Sequence, residues 1–289
     1  MSRVVASNAL GIAWITGTAL SLTAMYVAAR ELAGEISTFE IVFLRGLFSL
    51  VLMSPWLLQQ GVGALRTQKP WHHAGRGFST FAAVTLMFYG VANAPLADAT
   101  ALQAVYPLFT IVLAVFVVGE RPGLNRWLAT VVGFGGVLAI VRPGFEAVGP
   151  ATLALLGCSL FYAVSNIFVK LIARADPPGM MTFTVNAYSV LLSALPAAFV
   201  WVTPSLASLP WIGLLAAAGF CAQYTLTRAL AYGEASVVMP FDYLRLPFAA
   251  AVGFIVYAET PDLLTVLGAL IVFASVSYIT AAEGKSRRR

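Results

Sequence analysis

Charge is what this sequence has least of. Only 10% of its 289 residues are charged and 60% are hydrophobic, whereas soluble domains carry about 25% charged residues. An ordinary soluble fold is thereby excluded, and an integral membrane protein is left. Cysteine is as scarce: Cys158 and Cys221 both lie inside apolar runs, so there is no disulfide framework and no CxxC metal or redox spacing. The two histidines, His72 and His73, fall side by side in a predicted loop, too isolated for metal binding or catalysis. There is no GxxxxGK[ST] loop and no room for a cytosolic domain, which speaks against an ATP-driven pump. An intramembrane enzyme would need a nucleophile with its base, paired acids or a histidine cluster inside the spans, and none appears. The expectation is therefore no enzyme, no cofactor and no metal.

Long apolar runs are what the chain has in plenty. Ten can be counted, at 8–29, 39–58, 74–93, 97–118, 125–142, 150–172, 180–202, 210–231, 236–257 and 262–282. At about 1.5 Å per residue, helices of this length span a hydrocarbon core of roughly 30 Å. The connections are short and marked by turn residues, as at Asn93-Ala94-Pro95, Arg142-Pro143-Gly144 and Asp176-Pro177-Pro178-Gly179. The first run follows Ser2-Arg3 and offers Ala28-Ala29 as a cleavage site, but it is long for a signal peptide and is retained as a span.

Basic residues orient the predicted bundle. With both termini in the cytoplasm, thirteen Lys and Arg fall inside: Arg3, Arg66, Lys69, Arg76, Arg121, Arg126, Lys170, Arg174, Arg228, Lys285 and Arg287 to Arg289. Arg30 and Arg142 alone fall outside, and Arg45 and Arg245 lie within spans. The basic tail reads as a topogenic and lipid-contacting feature rather than a nucleic-acid site. Arg126, Lys170 and Arg228 read as anchors that snorkel to the interface. The six tryptophans fall mostly near span ends, as interfacial belts do.

The chain also reads as one module written twice. Gly119-Glu120-Arg121-Pro122 and Ala258-Glu259-Thr260-Pro261 lie 139 residues apart. Each follows a run containing a proline, Pro107 or Pro247, and precedes a run rich in small residues. Pro55 corresponds to Pro196, and Met25-Tyr26-Val27 to Ile167-Phe168-Val169. Five spans per half would set the halves, 1–148 and 149–289, in opposite orientation, the construction of many secondary transporters. The predicted fold is thus all-α and membrane-integral, with ten transmembrane helices as two inverted five-helix repeats around a central cavity.

Pro95-Leu96-Ala97-Asp98-Ala99-Thr100-Ala101, Pro107, Gly119-Glu120-Arg121 and Gly133 to Val137 together resemble the bacterial drug/metabolite transporter superfamily, and most of all its ten-span EamA-type exporters. Phe220 to Tyr224, Ala235 to Pro240 and Ala258 to Asp262 are similar to that family's second half. The resemblance covers essentially the whole chain. It implies ten helices around a central cavity and gradient- or concentration-driven movement of small metabolites, often efflux, at the bacterial inner membrane. Amino acids, nucleobases and riboflavin are within its range of cargo.

Charges buried in lipid cost about 2.5–3.5 kcal/mol each on insertion scales, so they mark cavities or partners. Arg45, some seven residues into the second span, is a candidate anchor for a substrate carboxylate, or a structural arginine held by Glu40 or helix-end carbonyls. Asp242 and Arg245 are three apart on one helical face. They either neutralise each other, or Asp242 reads an ammonium group or proton with Arg245 as its switchable partner. No direct Arg45–Asp242 bridge is expected. Gln103, Tyr106, Tyr162, Asn166, Asn186, Tyr188 and Tyr243 are candidate lining groups, suited to a flat or aromatic cargo or to interhelical hydrogen bonds. Pro107 and Pro247 are candidate hinges or fixed kinks. Glu120 and Glu259, each followed by proline, read as the start of the next span. Gly133, Gly135 and Gly136 permit close helix contact, within one chain or in a homodimer. The partners expected are the lipid bilayer and a small molecule. Efflux of amino acids is favoured over movement of riboflavin or nucleobases, because Arg45, Asp242 and the tyrosines offer separate readers for carboxylate, amine and side chain.

Overall fold

The computed structural model describes residues 8–118, 124–141, 149–172, 175–232, 239–260 and 262–286. Outside it lie Glu120, Arg121, Pro122, Arg142-Pro143-Gly144, Arg174, Ala235 to Val238, Pro261, Arg287 to Arg289 and Ser2-Arg3, together with the side chains of Arg126, Lys170, Gln223, Met239, Pro240 and Lys285. All regular structure among the described residues is helical. The helices are α1 (Asn8–Leu32), α2 (Thr38–Gln60), α3 (Pro70–Asn93), α4 (Leu96–Gln103), α5 (Tyr106–Leu113), α6 (Leu124–Val141), α7 (Pro150–Ile172), α8 (Pro178–Phe199), α9 (Leu209–Tyr232), α10 (Arg245–Tyr257) and α11 (Leu263–Ser286). Six stretches are long and apolar enough to cross a membrane: Ala9–Leu32, Thr38–Gln60, Leu96–Val117, Pro150–Val169, Gly179–Phe199 and Leu209–Leu226. Trp127–Ile140 and Leu263–Ser275 are shorter apolar helices.

Local chemistry sets the helix ends. Ser37 caps α2 in a reciprocal capping box with Glu40. Proline opens α3 and α8, where its missing N–H would be unpaired anyway. Asp262 accepts from Leu264 N at 2.8 Å at the start of α11. The last turn of α10 closes on Ala258, in the left-handed conformation at φ 53°. Pro55 and Pro196 both sit inside their helices, α2 and α8.

The helix pairs that build the bundle join α1 with α9, α3 with α7, α2 with α8, α4 with α10 and α6 with α11, with α3–α8, α2–α9, α5–α7 and α1–α10 beside them. Every pair takes one helix from each half, so neither half packs as a body of its own. Small residues and hydroxyls sew these seams. Thr18 and Thr225 meet at 2.9 Å between α1 and α9, and Thr80 and Ser165 at 2.8 Å between α3 and α7. A Cβ on Gly90 would collide with the Leu155 side chain, and one on Gly46 would meet Val190 at 2.8 Å. The glycine run resolves individually: Gly133 faces Leu108 and Ser275, Gly136 lies against Gly268 and Ile271, and Gly135 faces open space. Gly133 and Gly136 thus serve contact within the chain.

The two ends of the bundle are fastened by different chemistry. At one end Glu40 accepts from Val202 N at 2.9 Å, and Glu35 binds the backbone of Ser205 and the hydroxyl of Ser208. These bonds hold the Glu35 carboxyl below its ordinary range, Ser208 contributing most. At the other end the histidines depart from expectation. They lie in the first turn of α3, not in a loop, and His73 is buried. Its ring nitrogens stand 2.8 Å from Thr184 Oγ1 and 2.9 Å from Asp176 Oδ2, which also accepts from Thr67 at 2.7 Å. Pro70 at the first helical position starts α3 early enough to take both histidines into it.

Candidate functional site

Two apolar stretches are broken where the candidate residues lie. The run predicted at 97–118 divides into α4, a break at Ala104 and Val105, α5, and a π turn at Ala114–Val118. Pro107 sits at the second position of α5. It has no N–H for the carbonyl four residues back, that of Gln103. Leu108 N turns to Val105 O at 2.9 Å, which frees the Ala104 carbonyl as well. The other half supplies the missing donors. Ser159 Oγ of α7 reaches Leu102 O at 2.7 Å and Gln103 O at 3.2 Å, and Tyr243 OH reaches Ala104 O at 3.1 Å. The run containing Pro247 is likewise broken, into a 3₁₀ segment at Met239–Leu244 followed by α10.

These breaks bring most of the candidate residues into one polar centre. Arg245 and Asp242 pair at 3.5 Å, both buried, which is long for a charge-assisted bond. The Arg245 guanidinium lies 5.9 Å from the Tyr106 ring centre, and the Tyr106 and Tyr162 rings are 6.2 Å apart. Tyr26 OH donates to Gln103 Oε1 at 3.0 Å. Tyr26 and Tyr162 each lie within electrostatic reach of both Arg45 and Arg245. Arg45 is not held by Glu40, whose carboxylate is spent on Ser37 N and Val202 N. Among the described residues Arg45 has no salt bridge, and its Nε is buried without a partner. It makes no bridge to Asp242.

The remaining candidates lie on α7 and α8. Asn186 donates to Thr182 O of its own helix at 2.9 Å, and Tyr188 packs over Gly77 of α3. Asn166 lies half-buried on α7, one turn beyond Tyr162. Glu259 does not begin the following helix. Its Oε2 accepts from Leu96 N at 2.9 Å, at the N-terminus of α4, and its other oxygen pairs with Arg30. The sequence reading missed Tyr26 and Ser159 as members of the centre. The match of Met25-Tyr26-Val27 to the second half was the one signal at Tyr26; a lone serine in an apolar run carried none.

A cleft of about 510 Å³ adjoins the centre between α4, α10 and α11. Ala97, Ala101, Phe241, Pro247, Ala269 and Phe273 are among its walls. It is apolar, and Tyr243 is its link to the polar centre, lining the cleft with its ring while its hydroxyl binds Ala104 O.

Comparison with known proteins fits this arrangement. The EamA-like transporter family matches the chain twice, at residues 9–142 and 149–281. An S-adenosylmethionine uptake transporter of Rickettsia bellii is 29% identical over 286 residues, 99% of this chain and 98% of its own. A riboflavin transporter of Rhizobium johnstonii is 29% identical over 286 residues, 97% of this chain and 94% of its own. A solved crystal structure 20% identical in sequence aligns over 98% of this chain and 99% of its own with a TM-score of 0.66, a likeness of fold alone. The chain belongs to the EamA-like transporter family of the drug/metabolite transporter superfamily and is a multi-pass, non-enzymatic membrane transporter.

Proposed function

We propose that this protein is a secondary transporter that moves a small metabolite with an α-amino-acid head and a flat aromatic or heterocyclic body across the bacterial inner membrane by alternating access. The observation that carries this reading is Arg45, a cation inside the bundle whose Nε is buried without a partner, with tyrosines around it. Such a group is costly unless an anion visits it, and a cargo carboxylate is that anion. Asp242, held by Arg245 only at 3.5 Å, is the reader of the ammonium group, with Arg245 released as the cargo binds. Tyr106 and Tyr162 offer faces to the flat body. S-adenosylmethionine has all three features, and the name of the Rickettsia relative speaks for it. That name also speaks for uptake, and the expected efflux of amino acids gains no support from the relatives.

The architecture we propose is ten spans in two inverted halves, 1–148 and 149–289, with both termini cytoplasmic. Two observations support it. Counting each broken stretch as one span, the helix pairs map onto themselves when the halves are exchanged, as a pseudo-two-fold axis requires. The Lys and Arg bias supports the orientation. Pro107 and Pro247 are the hinges on which the halves rock.

Uptake of labelled S-adenosylmethionine, phenylalanine, threonine and methionine into proteoliposomes, with riboflavin and adenine alongside, tests the reading. Saturable flux of S-adenosylmethionine or phenylalanine, above that of threonine and methionine, lost in Arg45→Ala and weakened in Asp242→Ala, is expected. Flux of riboflavin or adenine alone, untouched by Arg45→Ala, would instead favour a carrier of neutral heterocycles. That second reading draws on the neighbouring rings of Tyr106 and Tyr162, tilted by 52°, and on the Rhizobium relative.

A further inference from the structure

The polar centre holds more donors than acceptors. Among the described residues it contains two guanidinium groups, Arg45 and Arg245, and one carboxylate, Asp242. The Nε atoms of both arginines are buried and unpartnered. One positive charge is therefore left over, and a bound anion is the simplest way to balance it.

Tyr26 adds to this excess. It is 1% exposed, Gln103 is 4% exposed, and the two meet at 3.0 Å. A phenol can either donate to an amide oxygen or accept from an amide N–H. The two guanidinium groups within electrostatic reach of Tyr26 decide between these. Cations attract the lone pairs of the phenol oxygen and turn its O–H toward an acceptor. The amide oxygen of Gln103 is thereby occupied, and the Nε2 hydrogens are left for another acceptor. The Gln103 backbone is held too, because its carbonyl shares the Ser159 hydroxyl, at 3.2 Å, with that of Leu102, at 2.7 Å. Free to rotate, the amide would present its oxygen as readily as its nitrogen. Anchored in this way, it presents N–H.

We propose that Gln103, turned by Tyr26, is the second donor of an oxyanion site headed by Arg45, and that this pair makes the transporter prefer a cargo with a carboxylate over the same cargo without one. The proposal rests on the cargo reading above and adds Tyr26 as a positioning residue. Tyr26→Phe keeps the ring and its packing but releases the amide, so that its N–H is no longer held ready for the anion. Gln103→Glu puts a carboxylate where the donor stood.

The test is competition between matched cargoes in proteoliposomes: S-adenosylmethionine against its decarboxylated form, and phenylalanine against phenethylamine. Wild-type protein is expected to prefer the acid of each pair. Tyr26→Phe should reduce that preference about tenfold, mostly through KM for the acid, as loss of one hydrogen bond to a charged group predicts. Gln103→Glu should abolish or reverse it. A general packing defect would slow both members of a pair together and leave the ratio unchanged. A wild-type preference that survives in both variants would overturn the role of Tyr26 and Gln103 and leave Arg45 as the anchor. Wild-type protein that moves neither pair, or does not distinguish acid from amine, would bring down the cargo reading and this site with it.

Discussion

Glu259 crosses from the end of α10 to accept the Leu96 N–H at 2.9 Å, capping a helix that lies 163 residues earlier in the chain. The carboxylate sits at the positive end of α4, and its second oxygen pairs with Arg30 of α1. Three elements from both halves thus share one partly buried acid. Glu259→Ala should lower stability by about 1–3 kcal/mol, read as a fall in thermal midpoint in detergent. Glu259→Gln, which can still accept from Leu96, should cost less. Equal midpoints for Glu259→Ala and wild type would refute the capping role.

Asp176 gives the opposite end of the bundle a pH dependence. Burial pushes its carboxyl up, but hydrogen bonds from Thr67 and His73 and the nearby charge of Lys69 outweigh that and hold it below the usual range. A lowered folded pKa contributes stability above the unfolded value, about 3.9, and loses it as pH falls through the folded one. Asp176→Asn should therefore melt earlier than wild type at pH 7, and the gap should close below about pH 4. Parallel melting curves across that range would show that the carboxylate charge is not what matters.

The seam between α6 and α11 rests on two facing glycines. A Cβ on Gly136 would stand 2.7 Å from Gly268 O, and one on Gly268 would stand 2.5 Å from Gly136 O. Backbone cannot move aside as a side chain can, so Gly136→Ala and Gly268→Ala should each destabilise by about 1–3 kcal/mol. Gly135 has nothing within 4 Å, and Gly135→Ala should be neutral or gain up to about 1 kcal/mol from helix propensity. Thermal midpoints of the three variants decide it; Gly135→Ala as damaging as the others would place this face in a contact between chains.

Pro107 distinguishes a moving joint from a fixed kink. Pro107→Ala restores an N–H for the Gln103 carbonyl and should stiffen the junction of α4 and α5. If the junction bends during transport, turnover should fall severalfold with KM little changed and thermal stability equal to or above wild type. Unaltered turnover would mean that the break serves only to expose the carbonyls that Ser159 and Tyr243 bind.

Membrane insertion, helical class and the doubled module were legible in the sequence, because each depends on composition and order along the chain. Scarcity of charge requires a lipid-facing fold, and a fold in lipid satisfies its backbone within helices. The Asp242–Arg245 pair was legible for the same reason, since a three-residue spacing keeps the groups near each other even where, as here, the backbone passes from a 3₁₀ segment into α10. The prolines at 107 and 247 announced broken helices, because a missing N–H acts locally.

Partners across helices were decided by tertiary structure alone. Glu259 looked like the start of its own next helix, and only packing reveals the orphan N–H of Leu96 as its target. His73 looked isolated until α8 and the residues before it brought Thr184 and Asp176 to its ring. Tyr26 and Ser159 looked like ordinary members of apolar runs until the break near Pro107 turned Gln103 toward them. Local propensity acts within one or two helical turns, whereas these bonds join residues 56 to 163 apart in sequence. The register at which one helix meets another settles them, and that register is a property of the packed bundle.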